Sequence, residues 1–173
     1  MTNVFYEAVD FAEVGPDWIE RLKAMALSSP LRRSRLCLHR SDADSLHEMI
    51  IALAYDCLFP PHRHPTKTES YHIIQGRFVL IIFSDEGLPV RSVLLSTAGK
   101  GALLCFRLSK PAFHAVLPLD KVVVFHEVTN GPFRKDEAVL ASWAPSKSSE
   151  LRSFLERAAT LSGIPDKVIG MPQ

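Results

Sequence analysis

The stretch Pro60-Pro61-His62-Arg63-His64-Pro65-Thr66-Lys67-Thr68-Glu69 decides how the chain is read. His62 and His64 stand two apart, Glu69 follows five residues after His64, and Gly76 follows seven after Glu69. In an extended strand, side chains at i and i+2 point to one face. His62 and His64 can therefore reach one ion together while Arg63 points away. Imidazole nitrogens with a carboxylate suit Zn, Fe, Mn, Co, Ni or Cu better than Ca or Mg. Pro60, Pro61 and Pro65 stiffen the backbone and limit its pairing as a central strand. The segment belongs at a sheet edge or rim, where ligands converge on an opening. The bland alternative is two surface histidines in a polar loop.

The surroundings favour the rim of a β-structure. Downstream, Ser70 to Ile74 and Phe78 to Phe83 are separated by Gln75-Gly76-Arg77, a hairpin signal. Ser84 to Pro89 forms a second turn before Val90 to Leu95, and Gly99-Lys100-Gly101 a third before Ala102 to Phe106. Ala112 to Leu117 and Val122 to Val128 follow, and Leu36 to Leu38 and Met49 to Tyr55 precede the histidine stretch. Eight or nine short strands at short spacing predict an all-β sandwich or barrel. A helix is expected over Asp17 to Leu27, with Trp18, Ile19, Leu22, Met25 and Ala26 on one stripe and Asp17 as its cap. Ser148 is expected to cap a second helix with Leu151, Phe154, Leu155 and Ala158 on one face; the last eight residues read as poorly ordered.

Composition sets bounds. The 173 residues suffice for one domain with a real core, and the net charge of +1 carries no long block of one sign. That argues against nucleic acid or an anionic membrane as partner. Cys37, Cys57 and Cys105 sit among apolar residues without close pairing, so buried free thiols in a reducing compartment are expected. No signal peptide or apolar run of membrane-spanning length is evident, and a cytoplasmic protein is the expectation.

Taken together, these residues resemble the cupin superfamily. Its first motif, Gly-x5-His-x-His-x4-Glu-x6-Gly, aligns with His62, His64, Glu69 and Gly76, with Asp56 where the leading glycine would stand. Its second motif aligns with Lys110-Pro111-Ala112-Phe113-His114, although the glycine is missing and Pro118 replaces the usual asparagine. The resemblance implies an all-β double-stranded β-helix, a jelly-roll barrel, with a flanking helix at each end. Helical extension, barrel and tail would span 1–30, 31–146 and 147–173 of one compact unit. It also implies one divalent transition metal (Zn, Fe, Mn or Ni) held by His62, His64, Glu69 and His114, with coordination positions left open. Over roughly residues 30 to 146 the chain resembles the WbuC-type cupin fold metalloproteins, through Arg32 to His39, Phe125-His126-Glu127-Val128, Gly131-Pro132-Phe133 and Ser142-Trp143-Ala144-Pro145. Cys37 stands where that resemblance would place an asparagine. The family is associated with bacterial surface-polysaccharide gene clusters. A small polar or anionic metabolite, such as a sugar, and a homodimer are its implied partners.

Further candidates surround the motif. Glu127 and His126 are adjacent on a strand, so only one can face inward, and parity leaves open which; Glu127 is the stronger candidate for a general base. Tyr71 shares the parity of Glu69 and can donate a hydroxyl to the pocket or simply fill the barrel; His72 falls on the other face. Arg33, Arg35 and His39 share parity and could bind a carboxylate or phosphate, or form a solvated basic strand. His39 and His47 could also be accidental surface histidines. Trp143 could stack on a sugar ring, with packing the plainer reading. Three functions compete: Lewis-acid isomerase or epimerase chemistry on a sugar, an Fe(II)-dependent oxygenase, and a non-enzymatic metal-dependent binding module.

Overall fold

A computed structural model describes residues 3–7, 9–99, 101–134 and 137–170. Among them, strands β1 (Val4–Tyr6), β2 (Arg33–Cys37), β3 (Leu46–Ala54), β10 (Val122–Asn130), β5 (Glu69–Gln75) and β8 (Cys105–Leu108) form a six-stranded sheet in that spatial order. The second sheet runs β11 (Val139–Leu140), β4 (His62–Arg63), β9 (Phe113–Pro118), β6 (Arg77–Phe83) and β7 (Pro89–Ser96). Helix α1 (Pro16–Ser28) lies on the first sheet and α2 (Ser148–Leu161) on the second; a short α3 (Asp166–Ile169) follows.

The layering follows from strand parity. On β10, Val124 faces outward into a cluster with Leu36, Ile50 and Ala52 that receives Leu22 and Ala26 of α1. Val123 and Phe125 face inward, against Phe78, Leu80, Tyr71 and Leu53. On β6 and β9, Val79, Ile81, Ala115 and Leu117 face outward onto Leu151 and Leu155 of α2. Each sheet thus buries both faces, one under a helix and one against its partner sheet. That explains why the strands read as nearly continuous apolar runs with little alternation.

Several expectations need correction. Gln75-Gly76-Arg77 does not close a hairpin, because β5 and β6 belong to different sheets. It is a corner: Gly76 has φ of 81°, and a Cβ there would come within 3.0 Å of the Val122 carbonyl. A tight turn between two strands reads the same in sequence whether or not they pair. The turn at 84–89 is the true hairpin, joining paired β6 and β7. Helix α1 starts at Pro16 with Gly15 as its cap residue, and no side chain caps it, Asp17 included. Lys147, not Ser148, occupies the cap position of α2. The tail is not all loose: α3 buries Ile169, while 171–173 lie outside the described residues, as does Lys100 of the predicted third turn. Cys105 is exposed at the edge strand β8, whereas Cys37 and Cys57 are buried free thiols as expected. The segment before residue 30 contributes β1 to the sheet as well as a helix; Val4 pairs in register with Arg35, and β1 runs parallel to β2.

Candidate metal centre and its cavity

The interior between the sheets is half filled. Toward one end, Val123, Phe125, Ile73, Leu53, Phe78 and Leu80 close it. Toward the other lies a cavity of about 420 Å³. His62, His64, Glu69, Tyr71, His114, Glu127, Arg33, Arg35 and His39, all singled out from the sequence, line it.

The histidine cluster is built by strand pairing. His62 on β4 pairs in register with His114 on β9, so both imidazoles emerge side by side, with ring centroids 4.7 Å apart. His64 extends the same face, 5.3 Å from His62. Glu69 comes across from the other sheet: its two carboxylate oxygens lie 3.4 Å from His114 Nε2 and 3.8 Å from His64 Nε2. The Nδ1–H of His62 donates to the Pro60 carbonyl at 3.2 Å, and that of His114 to the Ala112 carbonyl at 3.0 Å. A carbonyl can only accept, so both rings leave Nε2 with its lone pair, the arrangement in which an outer hydrogen bond orients a ligating imidazole. His64 Nδ1 is buried with no hydrogen-bond partner.

Burial sets the charge state. It pushes the pKa of His62 and His64 down to about 4, with the neighbouring imidazoles adding to the effect, and it lowers His114 too. All three are therefore neutral at pH 7, the form that binds metals. Burial raises the carboxyl pKa of Glu69, and of Glu127 with the charge of Glu69 as a second cause. Tyr71 is buried, and its hydroxyl stands between His114 Nε2 (3.1 Å) and Glu69 Oε1 (3.3 Å). One phenolic proton cannot serve both acceptors. The phenol donates to Glu69 Oε1 and lies within hydrogen-bond reach of His114 Nε2.

These donors suit a transition metal: three neutral imidazole nitrogens and one carboxyl, on two sheets, around one space. Adjacent ligands of a tetrahedral ion with bonds near 2.1 Å lie about 3.4 Å apart, close to the separations of Glu69 from His114 and His64. Among the described residues, however, no group of three or more such side chains is preassembled as a metal site.

The remaining candidates divide cleanly. Glu127 faces the cavity while His126 faces outward beside His72, at 5.8 Å between rings, with Glu48 at 3.6 Å from its Nε2. Trp143 packs against Phe83, Phe113 and Phe154 and donates its indole N–H to the Asp85 carbonyl. His39 and His47 are not surface residues. Both are buried, with their rings stacked 4.0 Å apart, and both line the cavity. His47 shares the parity of the inward Met49, Ile51 and Leu53, a signal that could have found it. Lys67 was missed because a loop residue has no periodicity. It is buried, and its ammonium donates to the carbonyls of Asn130 and Pro132, both at 3.1 Å. Asn130 answers with its side chain, accepting from Thr68 N–H and donating to the Thr66 carbonyl. Lys67 and Asn130 thereby staple the metal-motif loop to the end of β10.

The fold is an all-β jelly roll of the cupin type, with the candidate metal cluster at one end of its interior. Its solved counterparts are distant. Protein SO0799 from Shewanella oneidensis is similar at a TM-score of 0.54 and 14% identity, over 87% of this chain and 98% of that one. The capsular polysaccharide assembling protein CapF from Staphylococcus aureus is similar at 0.50 and 14%, over 62% of this chain and 29% of CapF. CapF with the inhibitor 3-isopropenyl-tropolone gives 0.51 and 15%, over 65% and 32%. This chain thus spans about a third of CapF. A family model described as a domain of unknown function (DUF6016) matches residues 15–95. No curated protein matches the chain. Among the described residues, no helix is long and apolar enough to cross a membrane.

Proposed function

We propose that this protein is a metal-dependent cupin of the WbuC type that acts on a sugar or sugar-derived metabolite. The observation that carries the reading is the meeting of His62, His64, Glu69 and His114 beside an open cavity. The WbuC-like segments and the CapF likeness, whose name speaks of capsular polysaccharide, support surface-polysaccharide metabolism as the setting.

His62, His64, His114 and Glu69 would hold the ion. A divalent transition metal supplies Lewis acidity toward a carbonyl or hydroxyl oxygen. The rest falls to the chain. Glu127, inside the cavity with a raised pKa, is suited to hold and return a proton near neutral pH, as isomerase or epimerase chemistry requires. Tyr71 orients His114 and Glu69 and offers a hydroxyl proton beside them. The closed apolar half of the interior keeps water from that side.

The test is elemental analysis of the purified protein, beside the double variant His62→Ala/His64→Ala. About one equivalent of a transition metal in the parent, lost in a still-folded variant, is expected. A parent that neither carries such a metal nor takes one up would sink the reading.

A further inference from the structure

The cavity has two chemically distinct poles. The imidazoles and Glu69 form one. Arg33 and Arg35 on β2 form the other, with Phe59 beneath the Arg33 guanidinium at 4.4 Å. Lateral distance separates the poles: from Glu69 on β5 to Arg35 on β2 the sheet crosses β10 and β3, three inter-strand steps of backbone, about 14 Å in all. The side chains of both poles line the same cavity, which is large enough for a sugar ring between them.

What sets the two arginines apart, among the described residues, is that they line the cavity without an ion pair. Arg32, Arg63, Arg77 and Arg152 each pair with a carboxylate, on Asp56, Asp85, Asp120 and Glu156. Among the described residues, Arg33 and Arg35 make no ion pair, although Glu127 faces the same cavity, and Arg35 Nε is buried without a hydrogen-bond partner. Two half-buried guanidiniums sharing one strand face repel each other unless an anion lies between them. Parity holds both toward the cavity because Ser34 and Leu36 are the residues buried on the α1 side: Ser34 Oγ donates to the Leu22 carbonyl, and Leu36 packs on the helix.

We propose that the cavity binds a phosphorylated sugar, its phosphoryl group on Arg33 and Arg35 and its sugar toward the imidazole pole. This rests on the sugar reading above and adds the charge, its place and its orientation. A carboxylate is satisfied by one guanidinium fork; two adjacent unpaired forks match a dianionic phosphoryl group, whose oxygens can accept from both. Arg33 held over Phe59 presents its N–H edge, since its face is occupied by the ring.

The test is titration calorimetry of the purified full chain with a hexose 1-phosphate, the neutral hexose, a hexuronate and inorganic phosphate. The expected result is measurable binding of the hexose 1-phosphate, at least about 100-fold weaker binding of the neutral hexose, and weaker, arginine-dependent binding of inorganic phosphate. Arg35→Met should weaken the hexose phosphate roughly 10- to 100-fold, and Arg35→Lys by less, since it keeps the charge but loses the fork. Should Arg35→Met fail to fold, Arg33→Met and Arg35→Lys carry the comparison. The proposal is overturned if the hexuronate binds better than the phosphate, if the neutral hexose binds equally, if no phosphate probe binds, or if the arginine variants leave affinity unchanged. Repeating the titration after chelation separates the two readings. Arginine-dependent phosphate binding that survives in a protein shown to take up no metal keeps this inference while the metal reading falls.

Discussion

The two halves of the barrel interior are made by the same strands. Along the inward face of β10 the residues run Val123, Phe125, Glu127, Thr129; along β3 they run Leu53, Ile51, Met49, His47; along β5, Ile73, Tyr71, Glu69. On β9 the step is from Val116 to His114. On each strand the apolar residues lie toward the closed end and the polar ones toward the cavity. The difference teaches that one set of strands can be spent on stability at one end and on chemistry at the other. The cost is concentrated: the buried polar atoms without partners include Arg35 Nε, His64 Nδ1 and Thr129 Oγ1, all from residues lining the cavity.

The comparison is broken most directly in the closed half. Phe125→Ala removes a nearly fully buried ring that packs on Phe78 and Tyr71. It should cost about 3–5 kcal/mol in a denaturant melt, more than any single change in the open half. A loss below about 1 kcal/mol would mean that the closed half is not where the stability resides.

Metal should invert the ranking. Adding a transition metal to chelated protein at about 100 times its Kd should raise stability by about 2.7 kcal/mol. The gain should vanish in His114→Ala, read by thermal melting with and without metal. An equal gain in that variant would place the ion elsewhere.

A third effect is pH. The folded pKa of His62 and of His64, about 4, lies below the ordinary 6.5, so between those values the unfolded chain binds more protons and stability rises with pH. Glu69 and Glu127 lie above their ordinary 4.5, so the folded protein holds protons that the unfolded chain has released. Their contribution falls as pH rises. Above pH 6.5 the histidine effect is spent and the carboxyl effect leads, joined near pH 9 by the buried Cys57 thiol pushed up to about 11; chelated protein should lose stability toward alkaline pH, by at most about 1.4 kcal/mol per pH unit for each group. Glu127→Gln should flatten that slope in a melt series from pH 6.5 to 9; an unchanged slope would show that Glu127 is ionised throughout.

The smallest effect is expected for Tyr71→Phe. It keeps the packing and removes one hydroxyl, for about 1 kcal/mol or less in chelated protein. Because the hydroxyl competes for Glu69 and His114, metal affinity should hold or rise. A marked fall in metal affinity would make the phenol a partner of the ion instead of its competitor.

How much was legible follows from which forces are local. The strand series, both helices and the spacing from His62 to Glu69 could be read because turn residues and period-two geometry act over a few residues. The Gly76 corner was misread because pairing is a relation between strands, invisible in either one. His47 was set aside because histidine is common on surfaces, although its parity with Met49, Ile51 and Leu53 pointed inward, where it is buried and stacked on His39.

By itself, the sequence determined that His62 and His64 share a face, that Glu127 and His126 cannot, and that Arg33 and Arg35 emerge together, because alternation is a property of any extended chain. Only the tertiary structure decided which face was inside. Helix α1 covers Val124 and Leu36 on one side of the sheet, and the second sheet covers Phe125 on the other, so Glu127, Arg33 and Arg35 are turned into the cavity with the imidazoles. The physical reason is burial: each face went where its apolar neighbours could leave water, and the polar side chains of the same parity were carried with them.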